Sequence, residues 1–79
     1  MSMESVVNID QLKKELVRIK VPASYYRIGS YGEETLCILS ENNQWLVFEG
    51  ERGLRYNTHF FDRESDACSY FLNRIKAFL

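Results

Sequence analysis

A chain of 79 residues has room for one domain and one core. Hydrophobic residues make up 46% of it, including five Phe, five Tyr and one Trp, which excludes the low-hydrophobicity regime of disordered chains. Ten basic residues stand against eleven acidic ones, a net charge of −1, so the basic excess that marks nucleic-acid or anionic-membrane binding is missing.

In chain order, Met1-Ser2-Met3-Glu4-Ser5 has neither a basic n-region nor an apolar h-region, so no secretory signal is expected. The first helix is predicted over Asn8–Lys20. Asn8 is a good N-cap, and Gln11 three residues on completes a capping box. Ile9, Leu12, Leu16 and Ile19 form one apolar stripe, while Lys13, Lys14, Arg18 and Lys20 face water. Pro22 biases Val21 away from the α region and is expected to stop the helix near Lys20.

From Tyr25 to Phe61 the period changes to two. Tyr25–Ile28 is a short strand candidate closed by Gly29-Ser30-Tyr31-Gly32-Glu33. Thr35–Leu39 and Gln44–Glu49 are strands around Glu41-Asn42-Asn43, where the two asparagines suit the positive φ of a tight hairpin. Gly50-Glu51-Arg52-Gly53 makes a second turn, and Leu54–Phe60 alternates as a half-exposed strand. The last helix is predicted over Arg63–Phe78, with Asp62 as N-cap and Glu64 and Asp66 in the first turn. Its apolar stripe is Ala67, Cys68, Phe71, Leu72, Ile75, Phe78 and Leu79, and Arg74 and Lys76 suit its C-terminal end.

The expected fold is α+β, a single domain spanning residues 1–79 in α-β-β-β(-β)-α order. An antiparallel meander carries both helices on one face and leaves the other to solvent or a partner. No apolar run approaches the ~18–20 residues that span a bilayer. Without an export signal, Cys37 and Cys68 are read as reduced, buried thiols, and the expected location is cytoplasmic.

No catalytic residue, cofactor or metal site is assigned. His59, the one histidine, has no companion ligands at metal-site spacing. Neither cysteine lies on a recognisable nucleophile turn, and on core faces both thiols would be inert. The tetrads Gly29-Ser30-Tyr31-Gly32 and Gly50-Glu51-Arg52-Gly53 fall between strands, not between helices as in a KH loop. Double-stranded RNA-binding domains share the α-β-β-β-α order but place lysines at the start of the final helix. Here Asp62-Arg63-Glu64-Ser65-Asp66 would repel RNA. What remains is a binding surface, with Tyr31, Tyr56, Arg52, Arg55, Glu49 and Glu51 at expected exposed positions and of residue types that serve as interface hot spots or charged rim.

One pattern spans the second half: Trp45-x-Val47-Phe48-Glu49, then Glu51-Arg52-Gly53, then Phe60-Phe61, then Glu64-Ser65-Asp66-Ala67-Cys68-Ser69-Tyr70-Phe71. It resembles small immunity proteins of bacterial polymorphic-toxin systems, including contact-dependent growth inhibition. The resemblance implies a cytosolic, non-enzymatic antidote, while an uncovered sheet face or the edge at Tyr25–Ile28 could support a dimer, so a monomer or weak homodimer is expected. Its partner would be the C-terminal domain of a cognate toxin, commonly a nuclease and often one acting on tRNA. Blocking the toxin's active site would suit carboxylates, here Glu33, Glu34, Glu41, Glu49, Glu51, Glu64 and Asp66, the last two also having a helix N-terminus to serve. A net charge of −1 departs from strongly acidic immunity proteins, and binding an exosite through Tyr56, Arg52 and the strand face stands beside active-site occlusion. Glu51-Arg52-Gly53 serves either the fold or the interface. The alternatives are a small adaptor for another bacterial protein, or a small enzyme using His59 or Cys37.

Overall fold

The structure is a computed structural model that describes residues 6–79. Met1–Ser5, read above as carrying no export signal, lies outside them. The chain runs α1 (Ile9–Arg18), a 3-10 turn (Ala23–Tyr25), β1 (Tyr26–Ile28), β2 (Thr35–Glu41), β3 (Gln44–Glu51), β4 (Leu54–Phe61) and α2 (Glu64–Ala77). The strands form one sheet in the order β1-β2-β3-β4. Strands β2, β3 and β4 make the expected antiparallel meander. β1 departs from it, pairing parallel to β2 with Tyr26 opposite Leu36 and Ile28 opposite Ile38.

Both helices pack on one face. Leu12 and Leu16 of α1 meet Ala67, Cys68, Phe71, Leu72 and Ile75 of α2 over Leu36, Ile38 and Val47 of the sheet, all buried. Leu12, Leu16, Phe71 and Ile75 lie on the spacing read from the sequence, since residues three and four apart share a helix face. The first turns of the helices lie together, where a Glu64 oxygen accepts the Ile9 amide at 2.8 Å.

Local signals set the ends. Asn8 caps α1 by accepting the Gln11 amide at 2.8 Å, and the Gln11 side chain accepts the Val7 amide at 3.1 Å. The helix ends at Arg18 with Ile19 as C-cap, two residues short of the predicted Lys20. Lys20 adopts φ 63°, and the Lys20 and Val21 amides donate to Val17 and Leu16, each at 3.0 Å. That is a Schellman closure, with buried Val21 against the same turn. In α2 the N-cap is Arg63, not Asp62, and its side chain makes no capping bond.

Both hairpins close on two residues, Asn42-Asn43 (φ 53° and 65°) and Arg52-Gly53 (φ 56° and 77°). Two consecutive positive φ values identify type I′ turns, which match strand twist. β3 therefore runs on to Glu51, and the second turn is shorter than the sequence suggests. Opposite β3, β4 carries a bulge. Val47 faces His59, Glu49 faces Tyr56, and the intervening Asn57 has φ 52°.

The helix-free face is not bare. Cys37, Leu39, Leu46 and Phe48 form a second buried cluster there, with Tyr31 packed against it. The cover comes from the parallel β1. To re-enter the sheet in the same direction, the 29–34 connection must run back about 10 Å, the rise of three strand residues. Gly29, at φ 89°, reverses the chain, and its amide donates to the Ile38 carbonyl at 2.7 Å. The connection then lies under the sheet as a strap. Among the described residues, no helix is long and apolar enough to cross a membrane.

Candidate functional site

An open cleft of about 660 Å³ lies on the helix side of the sheet, where α2 ends and leaves the strands uncovered. Its floor is Thr35, Leu36 and Gly50, its walls are Ser24 and Tyr25 of the 3-10 turn and Phe78 after α2, and Glu34, Glu49 and Glu51 point acid at it. Tyr25 is 45% exposed and Phe78 61%, so two aromatic rings face solvent across a carboxylate-lined floor.

The three carboxylates differ in commitment. Glu49 is ion-paired with Arg74 of α2, whose guanidinium also donates to the Tyr70 hydroxyl at 3.0 Å. Arg74 is thereby held above its usual range, first by the Tyr70 bond and then by Glu49. Glu34 and Glu51 are exposed and form no ion pair with another described residue. Glu34 also sits at φ 55°, a conformation L-residues seldom adopt, with its amide donating to the Gly50 carbonyl at 2.7 Å.

Of the other sequence candidates, Tyr56 is 41% exposed and lies opposite Glu49 on β4, beside the cleft. Glu33 turns the other way. Its carboxylate accepts the Arg52 amide at 2.8 Å, the Gly53 amide at 2.7 Å and the Tyr31 hydroxyl at 2.9 Å. These bonds, the Gly53 one first, hold its carboxyl below the usual range. Two successive amides in left-handed conformation form an anion-binding nest, here filled from within the chain. Arg52 thus contributes its backbone to the fold and leaves its side chain in solvent.

Tyr31, expected at an exposed position, is half-buried and stacks on Phe48 with ring centroids 6.2 Å apart. Burial, then its bond to Glu33, pushes its hydroxyl up. Arg55 also lies on the helix-free face, 4.8 Å over the Phe48 ring, and pairs with Glu41 at 2.8 Å. Tyr31 departs from its expected exposure because the strap lays its ring on Phe48, whereas Arg55 keeps its expected exposure.

His59 packs against Tyr70 with centroids 4.8 Å apart. Cys37 is buried under the strap and Cys68 in the main core, where burial, then the Glu64 charge, raises its thiol to about 11. Among the described residues no group of three or more His, Cys, Asp or Glu is placed to hold a metal ion.

The cleft therefore gathers Glu34, Glu49 and Glu51 and excludes Glu33, Arg52, Arg55 and Tyr31. Sequence reasoning missed Tyr25 and Phe78, assigned to a strand and to the apolar stripe of α2. Neither carried a sequence signal, since an aromatic residue continuing an apolar pattern reads as core. Chemically, separated carboxylates with aromatic walls suit a cation, by charge and by the ring faces. No family model, curated protein or solved structure matches this chain.

Proposed function

We propose that this protein is a cytosolic, non-catalytic binding protein of the immunity class, which neutralises a cognate toxin domain by seating a basic part of it against the acidic cleft. The observation that carries the reading is that Glu34 and Glu51, which form no ion pair with another described residue, line one cleft with the exposed rings of Tyr25 and Phe78. A nuclease that grips a polyanion presents lysines and arginines, and a carboxylate-lined cleft is complementary to such a surface. An arginine entering between the rings would gain cation–π contact worth about 0.5–1 kcal/mol on each exposed ring. The resemblance of the Trp45–Phe71 pattern supplies the partner class.

The test is co-purification with the toxin domain encoded beside it, together with growth protection. Glu34→Gln with Glu51→Gln is expected to weaken the complex by about 10- to 100-fold, mostly at low salt, because rim charges act through screened fields. A complex equally tight in the double variant would remove the cleft from the interface. A folded protein that binds no such domain and protects no cell would leave the adaptor reading.

A further inference from the structure

We propose that Glu33 is a clamp that fixes the shape of the cleft from the opposite side of the sheet, locking the 29–34 strap onto the β3–β4 turn. The carboxylate bridges two segments far apart in sequence, with Tyr31 on its own strap and the Arg52 and Gly53 amides on the turn. The residue after the clamp is Glu34 and the residue before the clamped turn is Glu51. These are the two cleft carboxylates without an ion pair among the described residues. The clamp thus joins the two segments that carry them, alongside the Glu34 amide bond to the Gly50 carbonyl.

The strap has little freedom elsewhere. The Gly50 position lies directly against it, and a Cβ there would come within 2.1 Å of the Gly32 carbonyl oxygen and 2.9 Å of the Tyr31 ring. A Cβ on Gly32 would meet the Arg27 side chain at 2.2 Å. Glycine at both places lets the strap lie flat on the sheet, and Tyr31 then covers Phe48 and the Cys37 cluster. Releasing Glu33 uncovers that cluster and leaves the Glu34 amide bond to the Gly50 carbonyl as the tie that remains between Glu34 and the strand end at Glu51. The consequence for partner binding rests on the cleft reading above, whereas the clamp itself does not.

The two cysteines make the test direct, because Cys37 lies under the strap and Cys68 in the core between α2 and the sheet. Thiol labelling of the full chain with a maleimide at pH 8, read peptide by peptide, follows each separately. In Glu33→Ala, Cys37 is expected to label at least about ten-fold faster than in the wild type, with Cys68 unchanged, because the opening is local. Gly50→Ala, which displaces the strap without touching the carboxylate, should do the same, and Glu33→Gln should fall between. Unchanged Cys37 labelling, or a parallel rise at both cysteines, would overturn the clamp, and Glu33→Gln carries the same reading if the alanine variant does not fold. Titration with a hexa-arginine peptide at low salt separates the two proposals. Binding weakened in Glu34→Gln/Glu51→Gln but not in Glu33→Ala would keep the cleft and overturn its dependence on the clamp. Equal binding by all three would reject the cleft, while the labelling result would still decide the clamp.

Discussion

Arg52 sits at φ 56° in a two-residue turn that asparagine would occupy with less strain, since left-handed backbone costs an ordinary L-residue about 1–2 kcal/mol. What the turn takes from this position is its amide, given to Glu33. Arg52→Asn preserves that donor and creates an Asn-Gly type I′ turn, the preferred pair for this geometry. It is therefore expected to stabilise the fold by about 0.5–1 kcal/mol, a rise of roughly 2–8 °C in melting temperature for a domain this size. A fall in melting temperature would show that the guanidinium supports the fold. The Glu51-Arg52-Gly53 motif, left open between fold and interface by the sequence, then divides at Arg52: its backbone serves the fold and its side chain lies in solvent. Asn8 was legible as a cap because its role is local. The role of Glu33 was not, because its acceptor bonds reach 19 and 20 residues along the chain.

At the scale of elements, both α-helices and the four strands were legible from the pattern, the 3-10 turn at Ala23–Tyr25 was not, and the departures lie where tertiary contacts choose between local options. Asp62 looks like the N-cap of α2, yet the helix begins after Arg63, with Glu64 at its first position. That start lets Glu64 accept the Ile9 amide, one of the donors that the first turn of α1 cannot satisfy internally. The contact joins the two helices at their shared end and is partly buried. Glu64→Ala should leave the Ile9 amide without its acceptor and cost about 1–2 kcal/mol. The expected signature is a lower melting temperature with faster hydrogen exchange at Ile9, while Cys37 under the strap stays as protected as before. Unchanged exchange at Ile9 would mean that water replaces the carboxylate without penalty. The parallel β1 is the other departure, because alternation fixes which face a residue takes and not the direction in which a three-residue strand enters the sheet.

For the molecule as a whole, the apolar runs Leu36–Leu39 and Leu46–Phe48 are buried on both faces, as continuous apolar strands are, whereas the sequence reading left the second face to solvent or a partner. The cover was not legible, because the strap is polar and glycine-containing and reads as an ordinary loop. The same arrangement governs pH dependence. Among the described residues no charged or polar side chain is buried, so acid sensitivity must come from surface carboxylates bound in the native state. Three have lowered pKa values: Glu33 through the Gly53 and Arg52 amides, Glu41 through Arg55, and Glu15 through Arg18. A carboxyl whose folded pKa lies below its unfolded one stabilises the fold above the unfolded value, about 4.3 for glutamate, and loses that contribution as pH falls through the folded value. On the alkaline side, Tyr31 and Cys68 are raised, so their protonated forms stabilise the fold below their ordinary values. That support fades as pH rises, for Cys68 between its unfolded value near 8.5 and about 11. Melting temperature should therefore be level from about pH 6 to 8 and fall on both flanks. In Glu33→Gln the acid limb should be shallower and the neutral plateau lower, because the clamp no longer titrates and no longer holds fully. A wild-type melting temperature unchanged from pH 7 to about pH 3 would deny these carboxylates any share in stability, since their native bonds are what lower their pKa values.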